Sequence, residues 1–356
     1  MAKKTNPKRE PQPGEPVSLR VLGEYLDLSP ATISLVLNNA PGVSAIPNRT
    51  RERVKAAAAQ FDYRPSFYAR SLRRRKTFSI GVLVPELSDS YTTQVLTGVE
   101  ESLLEEGYFY LTASHRRKPD LIDEYPRMLM ERSVEGFILI DTVLKRSFQL
   151  PAVAIAAHRH IPGVTNVVLN QQRAAELVLQ HLHQLGHREI AFMRGGSHSS
   201  DADDRWKCLK TVAKELGIAV RPELTVQLKL RVSTPELGFE PARELLSRKA
   251  SFTAMICYDD IAAFGAIRAI RDLGLRVPED ISVVGFDDIQ TASFYNPSLT
   301  TVRQPLYQMG ASAARILLQR IRGTEDVAQE LLVQPELVVR ESTCPPNGRS
   351  ARSKAG

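Results

Sequence analysis

From residue 78 onward the chain alternates short apolar runs with amphipathic stretches of helical length. That alternation constrains the fold more than any other feature. FSIGVLV (78–84), YFYLTAS (108–114), GFILI (136–140), EIAFM (189–193), FTAMICY (252–258) and ISVVGF (281–286) each read as a buried strand. Helical stretches stand at about 91–106, through the 120s, at about 172–185, from about 204, and at about 261–273. Repeated strand–helix units imply parallel sheets with helices on both faces, because a parallel pair needs a crossover between its strands. Spread over about 260 residues, the pattern predicts two α/β subdomains rather than one.

The residues before this region have a different character. Residues 1–76 carry 15 Lys and Arg against 6 Asp and Glu, a charge of +9, whereas the rest of the chain sums to −2. A basic head on a mildly acidic body points to a polyanionic partner, nucleic acid or an anionic membrane surface. The basic stretches lack the strongly apolar opposite face that a membrane surface would require. Part of the charge (Lys3, Lys4, Lys8, Arg9) sits in a Pro-rich leader, 1–16, read as disordered. Residues 49–76 hold ten basic side chains by themselves.

Residues 17–62 read as three short helices. Leu19, Leu22 and Leu26 fall at helical spacing in the first. In the second, Ser29 is a suitable N-cap and Pro30 a favoured first helical residue. Its inner face is Ile33, Val36 and Leu37, and its outer face Ala31, Ser34, Leu35 and Asn38. The third runs from about Asn48 to Phe61. Two short helices joined by a tight turn and braced by a third describe a helix-turn-helix, with the second helix in the major groove. Leu35 on the outer face could meet a thymine methyl. A plain three-helix scaffold or a protein-interaction module has the same spacing.

The residues themselves are more specific. VSLRVLGEYLDLSPATISLVLNNAPGVS (17–44) closely resembles the helix-turn-helix of the LacI (lac repressor) family. YRPSFYARSLRRRKTFSIGVLVPELSDSY (63–91), LGHREIAFMRGG (185–196), VPEDISVVGFDD (277–288) and PSLTTVRQP (297–305) resemble later segments of that family, in the same order. The resemblance implies a dimeric transcriptional regulator, expected in the cytoplasm with the nucleoid. Its three-helix head and hinge helix would precede a core like a periplasmic sugar-binding protein. The expected divisions are a head at 17–64, a hinge helix and linker at 65–76, a core at 77–342 and a flexible tail at 343–356. The core's first subdomain is expected at about 77–162 and 304–330, its second at about 163–303 and 331–342.

By position, the resemblance puts Pro30, Ala31 and Leu35 against bases, with the reading helix starting at Ser29. Leu35 stands where some members carry a basic residue. Thr32, Ser34 and Asn38 fall at phosphate-contacting or supporting positions, and Ser18 and Arg20 at phosphate contacts near the first helix. The stretch 44–50 is longer than the common pattern by about three residues. In the hinge, Ser66, Ala69, Arg70 and Arg73 are implied to meet DNA, and Leu72 to wedge into the minor groove. Such an apolar wedge unstacks a base step and bends the duplex. A helix this short is marginal alone, so it is expected to form when two copies pack on DNA.

In the core, the resemblance implies an effector cleft between the subdomains. Its candidate residues are Tyr91, Thr92, Arg205, Asp259, Asp260 and Asp287, with Trp206 as a further apolar face. Carboxylates and an arginine suit a polyhydroxylated ligand, a sugar or a related metabolite. Asp259 could equally be a helix cap, Asp287 a turn residue and Trp206 core. Cys208 stands where the family usually has glycine, Asn170 where it has aspartate, and His158 and Arg159 lie in a crossover of unfixed alignment.

Double-stranded operator DNA, a small effector and a second copy of the chain are the partners expected; no membrane, metal or cofactor is. No dinucleotide fingerprint, P-loop or nucleophile elbow is present, so an enzyme is not expected. His181 and His183, two apart on a helix, face apart. Cys208, Cys257 and Cys344 are too widely spaced for a disulfide framework, which fits a reducing compartment. The remaining alternative is a solute-binding protein without DNA regulation. It would carry an export signal and no basic head.

Overall fold

The computed structural model describes residues 17–63, 76–142, 149–156, 161–196, 199–229, 234–248, 250–323 and 328–347. The chain divides into two compact units at Thr77/Phe78.

The first unit holds helices α1 (Leu19–Leu26), α2 (Pro30–Leu37) and α3 (Asn48–Gln60). Leu22, Leu26, Ile33, Val36, Val54 and Ala57 close its small core. Asp27, in the left-handed region at φ 57°, stops α1 and turns the chain toward α2. Gly23 makes this turn possible, because a Cβ there would lie 2.8 Å from the Leu28 carbonyl oxygen. Arg53 Nη2 donates to the Leu26 carbonyl at 3.1 Å and ties α3 to α1. The long connection before α3 contains a 3₁₀ turn, Val43–Ala45, entered through Gly42 at φ 94°.

The second unit contains two six-stranded sheets. One has the order β2 (Phe109–Ser114), β1 (Ser79–Val84), β3 (Phe137–Ile140), β4 (Ala152–Ile155), β5 (Val164–Leu169) and β11 (Glu330–Val333), all parallel. The other runs β7 (Thr225–Gln227), β6 (Ile190–Arg194), β8 (Ala254–Ile256), β9 (Ser282–Asp287) and β10 (Thr300–Arg303) in parallel. An antiparallel β12 (Glu336–Val338) closes its edge. All six residues of β1 are buried, as helices on both faces demand.

Helices α4 (Ser90–Glu105) and α10 (Leu306–Arg322) cover one face of the first sheet, and α5 (Pro119–Glu131) the other. On the second sheet, α6 (Gln171–Leu185) and α7 (Ser200–Glu215) lie opposite α8 (Glu236–Ser247) and α9 (Asp260–Asp272). Each subdomain has one helix pair in which glycines allow very close approach. A Cβ on Gly98 would lie 2.0 Å from the Tyr307 carbonyl oxygen, and one on Gly310 2.0 Å from that of Val95. Gly238 and Gly265 play the same part between α8 and α9.

Three expected boundaries move. Residues 164–169 pair with β4 in the first sheet, so the chain crosses to the second subdomain near Asn170 rather than near 162. Residues 330–333 add to that same sheet beside β5, which moves the last crossing to about 334. Thr165 and Asn166 interrupt the first run and the second is only four residues long, which hid both as strands. The tail begins docked: Cys344 N–H donates to Ser282 Oγ at 3.0 Å, and the Cys344 carbonyl accepts from that hydroxyl at 3.1 Å. Asn347 Nδ2 donates to the Glu279 carbonyl at 3.0 Å.

Candidate functional site

In the head, the outward side of α2 is built by capping. Ser29 Oγ accepts from the Thr32 N–H at 3.1 Å and shares a hydrogen bond with the Thr32 hydroxyl at 2.8 Å. Pro30 follows as the first helical residue. Asn38 Nδ2 donates to the Ser34 carbonyl at 2.8 Å and to its hydroxyl at 3.2 Å. Pro30 and Ala31 are exposed; Thr32, Ser34, Leu35 and Asn38 are half-buried. Leu35 is therefore less free than an outward-facing residue of a solvated helix. Ser18 caps α1 by accepting from Val21 N–H at 3.3 Å. Arg20 is exposed and paired with Glu24 at 3.2 Å. Ser66, Ala69, Arg70, Leu72 and Arg73 lie outside the described residues, as do His158 and Arg159.

In the core, the sheet orders fix where polar groups collect. In each sheet the chain direction of travel reverses between two central strands, β1/β3 in the first and β6/β8 in the second. Crevices open at the carboxyl ends of such strand pairs. The segments leaving β1, β2 and β3 bring Asp89, His115, Arg117 and Asp141. Those around β6, β8 and β9 bring Ser199, Asp201, Arg205, Tyr258, Asp259 and Asp287. The two sets meet: Ser199 Oγ donates to Asp141 Oδ1 at 3.3 Å.

Arg205 is held from four sides. Nη2 donates to Asp201 Oδ2 at 2.7 Å, Nη1 to the Tyr258 carbonyl at 2.6 Å, and Nε to Gln171 Oε1 at 3.2 Å. Its guanidinium carbon stacks 3.5 Å from the Phe286 ring centroid. Gln171 in turn donates to Asp201 Oδ1 at 2.8 Å. Across the cleft, Arg117 Nη2 donates to Asp141 Oδ2 at 2.7 Å. His115 shares a 2.9 Å hydrogen bond with the Thr142 hydroxyl. Burial lowers its pKa to about 4, so the imidazole is neutral near pH 7.

Asp89 caps α4 by accepting from the Tyr91 N–H at 3.1 Å. Burial, and then the neighbouring Asp259 carboxylate, push its pKa up to about 6. Asp259 caps α9, accepting from the Ala262 N–H at 2.6 Å, and burial raises its pKa too. Asp287 sits at φ 113°, a conformation that strains a residue with a side chain. Gln304 clamps it by donating from Nε2 to Asp287 Oδ1 at 2.6 Å. Next to it Asp288 binds Arg340 at 2.6 Å and Arg303 at 2.7 Å, holding the strained turn. The Tyr91 hydroxyl is buried with no partner among the described residues and faces Asp201, Asp141 and Asp287.

The sequence candidates thus separate. Tyr91, Arg205, Asp259 and Asp287 belong to one charged cluster. Thr92 is buried beside it, its hydroxyl 3.5 Å from Asp89 Oδ2. Asp260 does not present a free carboxylate. Oδ1 accepts from the Thr301 hydroxyl at 2.5 Å and Oδ2 from the Ile289 N–H at 2.9 Å, with the side chain fully buried. It staples α9 to the loop after β9, and Gly285 leaves room for it. Trp206 packs edge-on against Phe192 at 5.7 Å, among the residues between α6 and α7. It also borders a cavity of about 20 Å³ beside Arg205. Asn170 caps α6 and donates to Gln334 at 3.1 Å, linking two of the crossing segments. Sequence reasoning missed Arg117, Asp141, Gln171, Asp201 and Gln304. Only the position of Asp141 directly after GFILI could have signalled its place at a strand's carboxyl end.

A helix-turn-helix head followed by two α/β subdomains around a polar cleft defines a DNA-binding regulator with a ligand-binding type of core. Residues 27–66 match the bacterial regulatory proteins of the lacI family, and residues 179–343 a periplasmic binding protein-like domain. The transcriptional repressor PurR of Haemophilus influenzae is 30% identical over 338 residues, 91% of this chain and 98% of that one. The transcriptional regulator DegA of Bacillus subtilis is 30% identical over 330 residues, 90% and 96% of the two chains. A lac repressor dimer bound to operator and an anti-inducer superposes with a TM-score of 0.81 at 27% identity, covering 93% of this chain and all of that one. The chain belongs to the LacI family of bacterial transcriptional regulators. Its relatives are regulators across head and core alike, which disfavours a solute-binding protein without DNA regulation. Among the described residues, no helix is long and apolar enough to cross a membrane.

Proposed function

We propose that this chain is a ligand-responsive repressor acting on chromosomal DNA in the cytoplasm. It binds a palindromic operator as a homodimer through α2 and the segment 65–76. A small effector in the core cleft, a sugar or a related metabolite, sets its affinity. One observation carries the reading. The same chain joins a capped reading helix, set in a basic head, to a core whose polar cluster draws residues from both subdomains and is bridged by Ser199 and Asp141. A ligand that contacts both walls stabilises one relative arrangement of the subdomains over others, which is how such a core biases a DNA-binding unit on the same chain. The repressor sense follows the names of the relatives, and the operator and dimer follow the lac repressor assembly. Leu72 enters from sequence resemblance as the minor-groove wedge.

The test is duplex binding by fluorescence anisotropy, on a palindromic site and a scrambled one, across a salt series. Phosphate contacts make affinity fall with rising salt, and base reading makes the palindrome preferred. Equal affinity for both duplexes overturns the operator reading. Leu72→Ala is expected to weaken the palindromic complex at least tenfold.

A further inference from the structure

We propose that the ligand of the cleft is rich in N–H and O–H donors and carries no acidic group: an amine or a polyol, not a phosphate or a carboxylate. The inference rests on the cleft being the effector site and adds the class of molecule it takes.

The argument is a balance of charge and of hydrogen-bonding capacity. Five carboxylates, Asp89, Asp141, Asp201, Asp259 and Asp287, share the cluster with two cations among the described residues, Arg117 and Arg205. The cations are committed. Arg117 pairs with Asp141 and Arg205 with Asp201, each at 2.7 Å. Three carboxylates remain, and they face one another: Asp259 raises the proton affinity of Asp89, and both raise that of Asp287. Arg205 also attracts Asp259 and Asp287, but its charge is already shared with the closer Asp201.

The oxygens show the same excess. Asp259 uses one on the Ala262 N–H, and Asp287 uses one on Gln304. Among the described residues their second oxygens receive no donor. Among the described residues Asp89 Oδ2 has only the Thr92 hydroxyl, at the long distance of 3.5 Å. Beside them the buried Tyr91 hydroxyl has no partner among the described residues. Buried polar groups left this way are costly, so the cleft is built for a molecule that completes them. Hydroxyl or ammonium donors complete three acceptors and one hydroxyl. A phosphate would add negative charge to a site whose two cations among the described residues are both committed.

Asp89 belongs to the first subdomain, Asp259 and Asp287 to the second. The same three groups therefore oppose closure when the cleft is empty and favour it when donors lie between them.

The experiment has two arms on the full chain, read by melting temperature at pH 7.5. Without ligand, Asp287→Asn and Asp259→Asn, isosteric and competent in the same hydrogen bond and cap, are each expected to raise the melting temperature. A fall in both means the carboxylates have a counter-ion and overturns the proposal. In the second arm, size-matched probes are compared at equal concentration: glucose and glucosamine, galactose and galactosamine, glucose 6-phosphate and gluconate. The largest rise is expected from a neutral or amine-bearing probe. A larger rise from an anionic probe overturns the proposal. A rise that fades with salt identifies the amine and a salt-insensitive one the polyol. If no probe acts at 50 mM while both Asn variants are stabilised, the effector-site reading fails and this inference falls with it.

Discussion

Ser199 Oγ and Asp141 Oδ1, 3.3 Å apart, join the second subdomain of the core to the first. Asp141 is at the same time the ion-pair partner of Arg117, at 2.7 Å, and both side chains of that pair are less than one-fifth exposed. Asp141→Asn keeps an acceptor for Ser199 but removes the charge opposite Arg117. Arg117 then keeps only the weaker attraction of Asp89, so the loss is about 1–2 kcal/mol, less than a buried cation left with no carboxylate would cost. Urea denaturation of the full chain checks it, and a loss under about 0.5 kcal/mol would show that the pair is a surface contact in energetic terms.

Asp89 supplies a pH signature. Its pKa is about 6 in the folded chain against an ordinary 3.8. Between those values the folded chain binds the proton more tightly than the unfolded chain. This group's contribution therefore falls as pH rises from about 4 to about 6, and ionised Asp89 is a net cost at pH 7.5. Asp89→Asn, which retains the cap on α4, should raise stability at pH 7.5 by about 1–2 kcal/mol and leave it unchanged at pH 4. His115, with its pKa lowered to about 4, loses stability in the opposite direction as pH falls from 6.5, but equally in both proteins. Paired denaturation curves at the two pH values isolate the Asp89 effect; equal differences at both would refute it.

How much of this was visible in the sequence depends on the range of the interaction. Ser29 and Pro30 announce the start of α2 because capping is local chemistry. Apolar runs such as those of β1 and β3 were legible for the same reason, whereas Ala152–Ile155, Val164–Leu169 and Glu330–Val333 gain their identity only from a neighbour. In the cleft, Arg205 was named from resemblance, but Asp201 one turn before it and Gln171 from another helix were not. Asp260 was misread as ligand-facing because its partners, Thr301 and the Ile289 amide, are distant in sequence. Adjacent aspartates thus divide the work, one capping and facing the cleft, the other stapling the fold.

The helix crossing in the first subdomain gives a steric prediction with an internal control. A Cβ on Gly98 would lie 2.0 Å from the backbone oxygen of Tyr307, which cannot move without shifting α10. Gly98→Ala should therefore cost about 3 kcal/mol or more, at the upper end for overpacking. Gly107, at φ 72°, has nothing within 4 Å of its would-be Cβ. Gly107→Ala meets only the backbone penalty, about 1 kcal/mol. Thermal denaturation of the two variants should rank them in that order; similar losses would mean that α4 and α10 do not pack this closely.

Arg205→Lys tests whether ligand sensing and DNA charge are separable. Arg205 spends its guanidinium on Asp201, the Tyr258 carbonyl and Gln171, and stacks on Phe286. A lysine ammonium keeps the charge but cannot span those three acceptors or lie flat on the ring. The core should lose about 2 kcal/mol through the broken network, and any ligand-induced rise in melting temperature should disappear. The salt dependence of duplex binding should not change, because its slope counts phosphate contacts made by basic groups of residues 17–76, none of which is altered. Anisotropy titrations from 50 to 200 mM salt should therefore give the same slope of log K against log salt for variant and parent. A shallower slope in the variant would mean that Arg205 helps set how many phosphates the head engages, and the division between sensing core and charged head would not hold.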